Sequence, residues 1–91
     1  MLYTVSYDIS DDKRRLRLSK TLKNYGNRVQ YSVFECILTA QLFDKMFEQI
    51  EVIIDPEVDS IRIYPTCAAC EKQITIIGQG DVSKLEEVYI I

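Results

Sequence analysis

The sequence predicts an α+β sandwich in which helices cover one face of a single sheet. Three observations carry this expectation: period-two alternation at Leu2–Tyr7 and Ser60–Pro65, apolar residues at helical spacing before Tyr25 and again before Ile53, and a β-branched and aromatic stretch between the two helical patterns. With 91 residues the chain forms one domain spanning 1–91. A chain of this size buries only about two thirds of its unfolded surface and cannot support two cores.

Leu2 to Tyr7 places Tyr3, Val5 and Tyr7 on one face of a first strand, with Asp8 at its carboxyl end. Ser10-Asp11-Asp12 then supplies helix caps and acidic first-turn groups. The helix they open runs to about Tyr25, with Leu18, Leu22 and Tyr25 at i, i+4, i+7 and Gly26-Asn27 as its stop. Lys13, Arg17 and Lys20 share the same spacing, so a basic stripe lies beside the apolar one. Arg28–Leu38 is extended, either as one bent strand or as a hairpin turning at Tyr31-Ser32. Thr39 caps a second helix to about Ile53, with an apolar face of Leu42, Phe43, Met46, Phe47 and Ile50. Strands follow at Ser60–Pro65 and Gln73–Ile77, then a Gly78–Asp81 turn. Residues 84–91 form a C-terminal strand whose apolar residues call for a neighbouring edge, in this subunit or a partner. If Arg28–Leu38 is a hairpin, the first part reads βαββαβ, the ferredoxin-like pattern.

Composition narrows the chemistry. The chain is 47% hydrophobic and 27% charged with three Gly and two Pro, which leaves no room for collagen-like or disordered classes. No apolar run approaches the roughly 18 residues of a membrane span, and the N-terminus alternates instead of forming a signal core, so a cytoplasmic protein is expected. Three cysteines fit a reducing compartment. The formal charge of −3 conceals an asymmetry: residues 1–28 hold seven basic and three acidic groups, net +4, and the rest carry −7. One basic face on an acidic protein is what a polyanion needs.

The chain has no histidine, which excludes imidazole bases and Ser-His triads. Gly78-Gln79-Gly80 lacks the third glycine of a dinucleotide loop, and no phosphate-binding loop motif or RNA-recognition aromatic run is present. Cys67-x-x-Cys70 has metal-like spacing, but zinc wants four ligands and only Cys36 remains. A redox pair of this kind opens a helix after a strand, whereas here one predicted strand leads into the next, so the two cysteines read as loop residues. Cys36 reads as a small buried hydrophobe. Asp8, at a strand end before a basic helix, can hold a hard cation while arginines grip phosphate, although one carboxylate per chain is thin for Mg²⁺ and a cap for the next turn is the plainer reading. A twofold dimer would supply a second copy. Arg14, Arg15 and Arg17 fall within four residues, a density suited to bidentate phosphate contacts and higher than a solvated helix face requires. Tyr31 and Phe34 could stack on bases or serve the core.

Tyr7-Asp8-Ile9-Ser10-Asp11-Asp12-Lys13-Arg14-Arg15, with Tyr25-Gly26-Asn27-Arg28-Val29-Gln30-Tyr31-Ser32-Val33-Phe34-Glu35-Cys36 and Ser60–Pro65, closely resembles the CRISPR-associated protein 2 family. The resemblance implies a ferredoxin-like βαββαβ fold with an additional C-terminal strand, and therefore a turn at Tyr31-Ser32. It also implies a homodimer in which 84–91 pairs with the partner subunit. Asp8 matches the aspartate assigned to a shared Mg²⁺, and Tyr7 the aromatic before it. Arg15, Arg17, Arg28 and Phe34 match positions tied to cleavage or nucleic-acid binding, and Arg14 and Lys20 extend that basic surface. The implied activity is metal-dependent endonuclease cleavage of single-stranded RNA or double-stranded DNA during spacer acquisition, alongside the CRISPR-associated integrase. The alternative is a non-catalytic DNA-binding scaffold for that integrase. A metabolite-binding regulatory module is disfavoured by the clustered arginines.

Overall fold

The structure is a computed structural model and describes residues 1–83. Strand β1 spans Leu2–Asp8, helix α1 Asp12–Leu22, β2 Asn27–Gln30, β3 Val33–Ile37, α2 Ala40–Ile53, β4 Ser60–Thr66 and the one-turn helix α3 Ala68–Glu71. The sheet is antiparallel with order β2-β3-β1-β4, and α1 and α2 pack side by side. This is the ferredoxin-like β-α-β-β-α-β arrangement, with β1 at the centre between β3 and β4.

Local chemistry sets the boundaries. Asp11 caps α1 by accepting from the Arg14 N–H at 2.9 Å, and Thr39 caps α2 by accepting from the Leu42 N–H at 3.2 Å. Each satisfies an otherwise orphan helix donor. Helix α1 ends at Leu22, three residues before the expected Tyr25, and its last turn tightens through Tyr25 N–H to Leu22 carbonyl at 2.9 Å. The hairpin turns at Tyr31-Ser32, with Gln30 opposite Val33. Gly26 starts it because nothing larger fits: a Cβ there would overlap the Glu35 carbonyl and sit 2.7 Å from Cys36 Sγ.

Register decides which face is core. Val5 lies opposite Phe34 on β3 and Ile63 on β4, and Tyr7 opposite Ile61. These residues pack with Leu18, Leu22, Tyr25, Met46, Ile50 and Ile53 under the helices. Cys36 is fully buried among them, and burial pushes its thiol up to about 12. On the other face, away from α1 and α2, the β1 residues Thr4, Ser6 and Asp8 stand beside Glu35 of β3 and Arg62 and Tyr64 of β4, with the apolar Leu2, Val33 and Ile37 on the same side.

Two expectations change after β4. Cys67 occupies the N-cap position of α3 without a side-chain capping hydrogen bond, so the Cys67-x-x-Cys70 stretch does open a helix. Gln73–Ile77 is irregular instead of a strand, since no ladder receives it among the described residues, and the chain returns to β3, where Ser83 Oγ donates to Glu35 Oε1 at 2.8 Å. The C-terminal strand expected at 84–91, with its pairing to a partner, lies outside the described residues.

Candidate nucleic-acid interface and metal position

Asp8 is the last residue of β1, paired with Ser60 and exposed. Strand alternation points it to the face away from α1 and α2, whereas Tyr7, 5% exposed, points under the helices. Asp8 and Tyr7 therefore serve opposite sides of one sheet end. On Asp8's side the nearest cation by register is Arg62, opposite Ser6, whose guanidinium donates to the Tyr64 hydroxyl at 3.3 Å.

On the helix side, Tyr7, Asp12, Arg15, Leu16, Ser19, Arg28 and Tyr31 line a shallow cavity of about 330 Å³. Arg15 is held at its rim by donating to the Ile9 carbonyl at 3.0 Å and the Ser10 carbonyl at 3.3 Å, and by a short ion pair to Asp12. The Asp12 contact raises its pKa, so it is a fixed cation. Its backbone anchors belong to the loop that directly follows Asp8. Arg28 reaches the same cavity from β2, its guanidinium carbon 5.3 Å from the Phe34 ring centroid. Tyr31, at the hairpin tip, is 78% exposed beside them. Two cations and an exposed aromatic ring around a shallow cavity suit a phosphate with an adjacent base.

The remaining sequence-predicted residues lie elsewhere. Phe34 is completely buried, so it cannot stack on a base; its contact with the binding surface is the underside of Arg28. Arg14 is committed to Asp59, donating to its two oxygens at 2.9 and 3.2 Å, while Asp59 also accepts from the Asp55 N–H at 2.8 Å. That clamp joins α1 to the loop before β4 and removes Arg14 from the free cations. Arg17 borders a separate groove between α1 and α2 with Thr21, Glu48, Gln49, Val52 and Ile53. Lys20 is exposed on α1. Sequence reasoning left Arg62 out; its parity with Asp8 across the β1–β4 ladder was the available signal.

The donor set limits what metal one chain can hold. Among the described residues no three acidic, cysteine or histidine side chains converge. Asp8 offers one carboxylate, the lower end of the one or two that Mg²⁺ takes from protein beside substrate phosphates and water. One chain is therefore a sparse site for the ion; a second copy apposed through the sheet face away from α1 and α2 would add a second Asp8.

Residues 1–74 match the family model of CRISPR associated protein Cas2. A Chloroflexus aurantiacus protein named CRISPR-associated endoribonuclease Cas2 1 is 45% identical over 93 aligned positions, covering 100% of both chains. The crystal structure of a Thermus thermophilus protein, TT1823, superposes with a TM-score of 0.79 at 42% identity, covering 88% of this chain and 93% of that one. A chain of a partial Cas6-RT-Cas1–Cas2 complex superposes with a TM-score of 0.66 at 28% identity, covering 99% of this chain and 98% of that one. Fold, strand-end aspartate, basic first helix and full-length similarity agree: the chain belongs to the CRISPR-associated Cas2 family.

Proposed function

We propose that this chain works as a homodimeric, Mg²⁺-dependent endonuclease of CRISPR spacer acquisition. It would cleave phosphodiester bonds of single-stranded RNA or double-stranded DNA and dock on the CRISPR integrase. The observation that carries the reading is Asp8, exposed on the sheet face away from α1 and α2 and directly before the loop that fixes Arg15. Relatives named endoribonuclease and a neighbour assembled with Cas1 support the activity and the partner. Asp8 from each of two copies would hold the ion, which supplies a hydroxide at neutral pH and neutralises phosphate charge. Arg15, on the helix side, would grip a phosphate of the bound strand from a position set before substrate arrives. Arg28, braced on Phe34, holds the neighbouring phosphate, and Tyr31 stacks on a base.

Two observations favour a scaffold reading: among the described residues no three potential metal ligands converge, and the chain has no histidine to act as a base. The test is cleavage of single-stranded RNA and double-stranded DNA with Mg²⁺ or EDTA, by wild type and Asp8→Ala purified identically. The endonuclease reading expects Mg²⁺-dependent cleavage that the substitution abolishes while binding persists. Equal cleavage by both proteins, or none by either, would overturn it in favour of the scaffold.

A further inference from the structure

The segment after β4 holds the chain's two exposed cysteines, which the nuclease reading does not use. Cys67 is the N-cap of α3, with extended backbone at φ −69° and ψ 165°, and Cys70 is its third helical residue. At this i, i+3 spacing the two residues share one turn, although the Cys67 side chain makes no capping hydrogen bond. The turn is closed, with the Glu71 N–H donating to the Cys67 carbonyl at 2.8 Å. Both thiols thus occupy one turn on the solvent side, and Cys36, the third cysteine, is sealed in the core.

We propose that Cys67 and Cys70 form a reversible intramolecular dithiol–disulfide pair, a redox site independent of the nuclease surface. Their electrostatics fit the division of labour this requires. The backbone N–H and thiol of Cys70 lower the pKa of Cys67, and the same contact with Cys67 raises that of Cys70. The co-reactant is a low-molecular-weight disulfide of the glutathione class. The Cys67 thiolate attacks one of its sulfurs, the S–S bond breaks, and the departing thiolate takes a proton from water. Cys70 then loses its proton to solvent, attacks Cys67 Sγ and expels the second small thiol. Two protein thiols are oxidised by two electrons, and one small disulfide is reduced to two thiols. Solvent exposure makes such a bond easy to reduce, so it cycles with the thiol pool instead of persisting as a structural staple.

The pair shapes the route of the following chain. Gln73 N–H donates to the Cys70 carbonyl at 3.0 Å and Ile74 N–H to the Glu71 carbonyl at 3.2 Å. Oxidation would lock the turn from which residues 72–83 set out towards Glu35.

The test equilibrates the full-length protein in buffers of varied reduced-to-oxidised glutathione ratio, quenches with acid, alkylates under denaturing conditions and reads intact mass. The expected product is monomeric, has lost two hydrogens and takes up one alkyl group in place of three. Cys36→Ala should form the same disulfide and then take up no alkyl group. Cys70→Ser should stop at a single glutathione adduct on Cys67, and Cys67→Ser should lack the disulfide. Independent adducts on both cysteines, disulfides between chains, or three alkylated cysteines at every ratio would each overturn the proposal.

Discussion

Replacing Phe34 separates two roles that an aromatic residue beside arginines can play. Its ring is fully buried, stacked against Tyr7 at 6.4 Å and overlaid by the Arg28 guanidinium at 5.3 Å. Phe34→Ala empties that space and is expected to cost about 3–5 kcal/mol. With an unfolding entropy of about 0.19 kcal/mol/K for a chain of this length, Tm falls by about 15–25 °C. Phe34→Leu keeps most of the volume, costs about 1–2 kcal/mol and stays folded at 25 °C. What it removes is the ring face under Arg28, worth about 0.5–1 kcal/mol at an exposed site, a two- to fivefold loss of nucleic-acid affinity. A base stacked on Phe34 would instead be worth about 1–3 kcal/mol, a loss approaching or exceeding tenfold. The assay is fluorescence anisotropy of labelled RNA and DNA across a salt series, with circular dichroism to verify folding. Phe34→Leu should keep the salt slope, while Arg28→Ala lowers it by about 0.9 for each duplex phosphate that the arginine neutralises. A folded Phe34→Leu protein that loses more than tenfold in affinity at every salt concentration would refute the buried-brace role.

Gly26→Ala should destabilise by about 1–3 kcal/mol or more, because its Cβ meets the β3 backbone at Glu35, which cannot swing away; urea melts check it. Cys36 is neutral in the fold with its pKa pushed to about 12, against an unfolded thiol near 8.5. Its contribution is complete below about pH 8.5 and is lost as pH rises towards 12, so Cys36→Ala should flatten the alkaline decline in denaturation midpoint. Asp59 has the opposite sign: Arg14 holds its pKa below the ordinary carboxylate range, so its contribution is present above about pH 4 and lost as pH falls. Asp59→Asn should remove that part of the acid-side slope, and an unchanged slope would show that the Arg14 clamp contributes nothing to stability.

Local chemistry made most of the fold readable. Thr39 caps the second helix where a β-branched hydroxyl before an amphipathic run should, and the alternation of Tyr3, Val5 and Tyr7 places them against the helices. The segment after β4 was less readable. Ile74, Thr75, Ile76 and Ile77 have strand composition, but strand propensity measures fit to a neighbouring ladder, and none receives them among the described residues. Ala68-Ala69, good helix formers, carried the missed signal for α3. The candidate site was legible where it rests on neighbours in sequence, as with Asp8 and the loop that grips Arg15. It was illegible where a distant partner decides: nothing near Arg14 announces Asp59, 45 residues away, whereas Phe34, readable as either a base platform or core, proves to be core.

The central claim is that each chain holds half of one metal site through Asp8. Wild-type and Asp8→Ala chains co-refolded in varied ratios, with dimer formation verified by sedimentation, test it through Mg²⁺-dependent cleavage. If both aspartates are needed, activity follows the square of the wild-type fraction, so an equal mixture retains about a quarter under random pairing. Activity that falls linearly with that fraction would mean that each Asp8 works alone, contradicting a shared site.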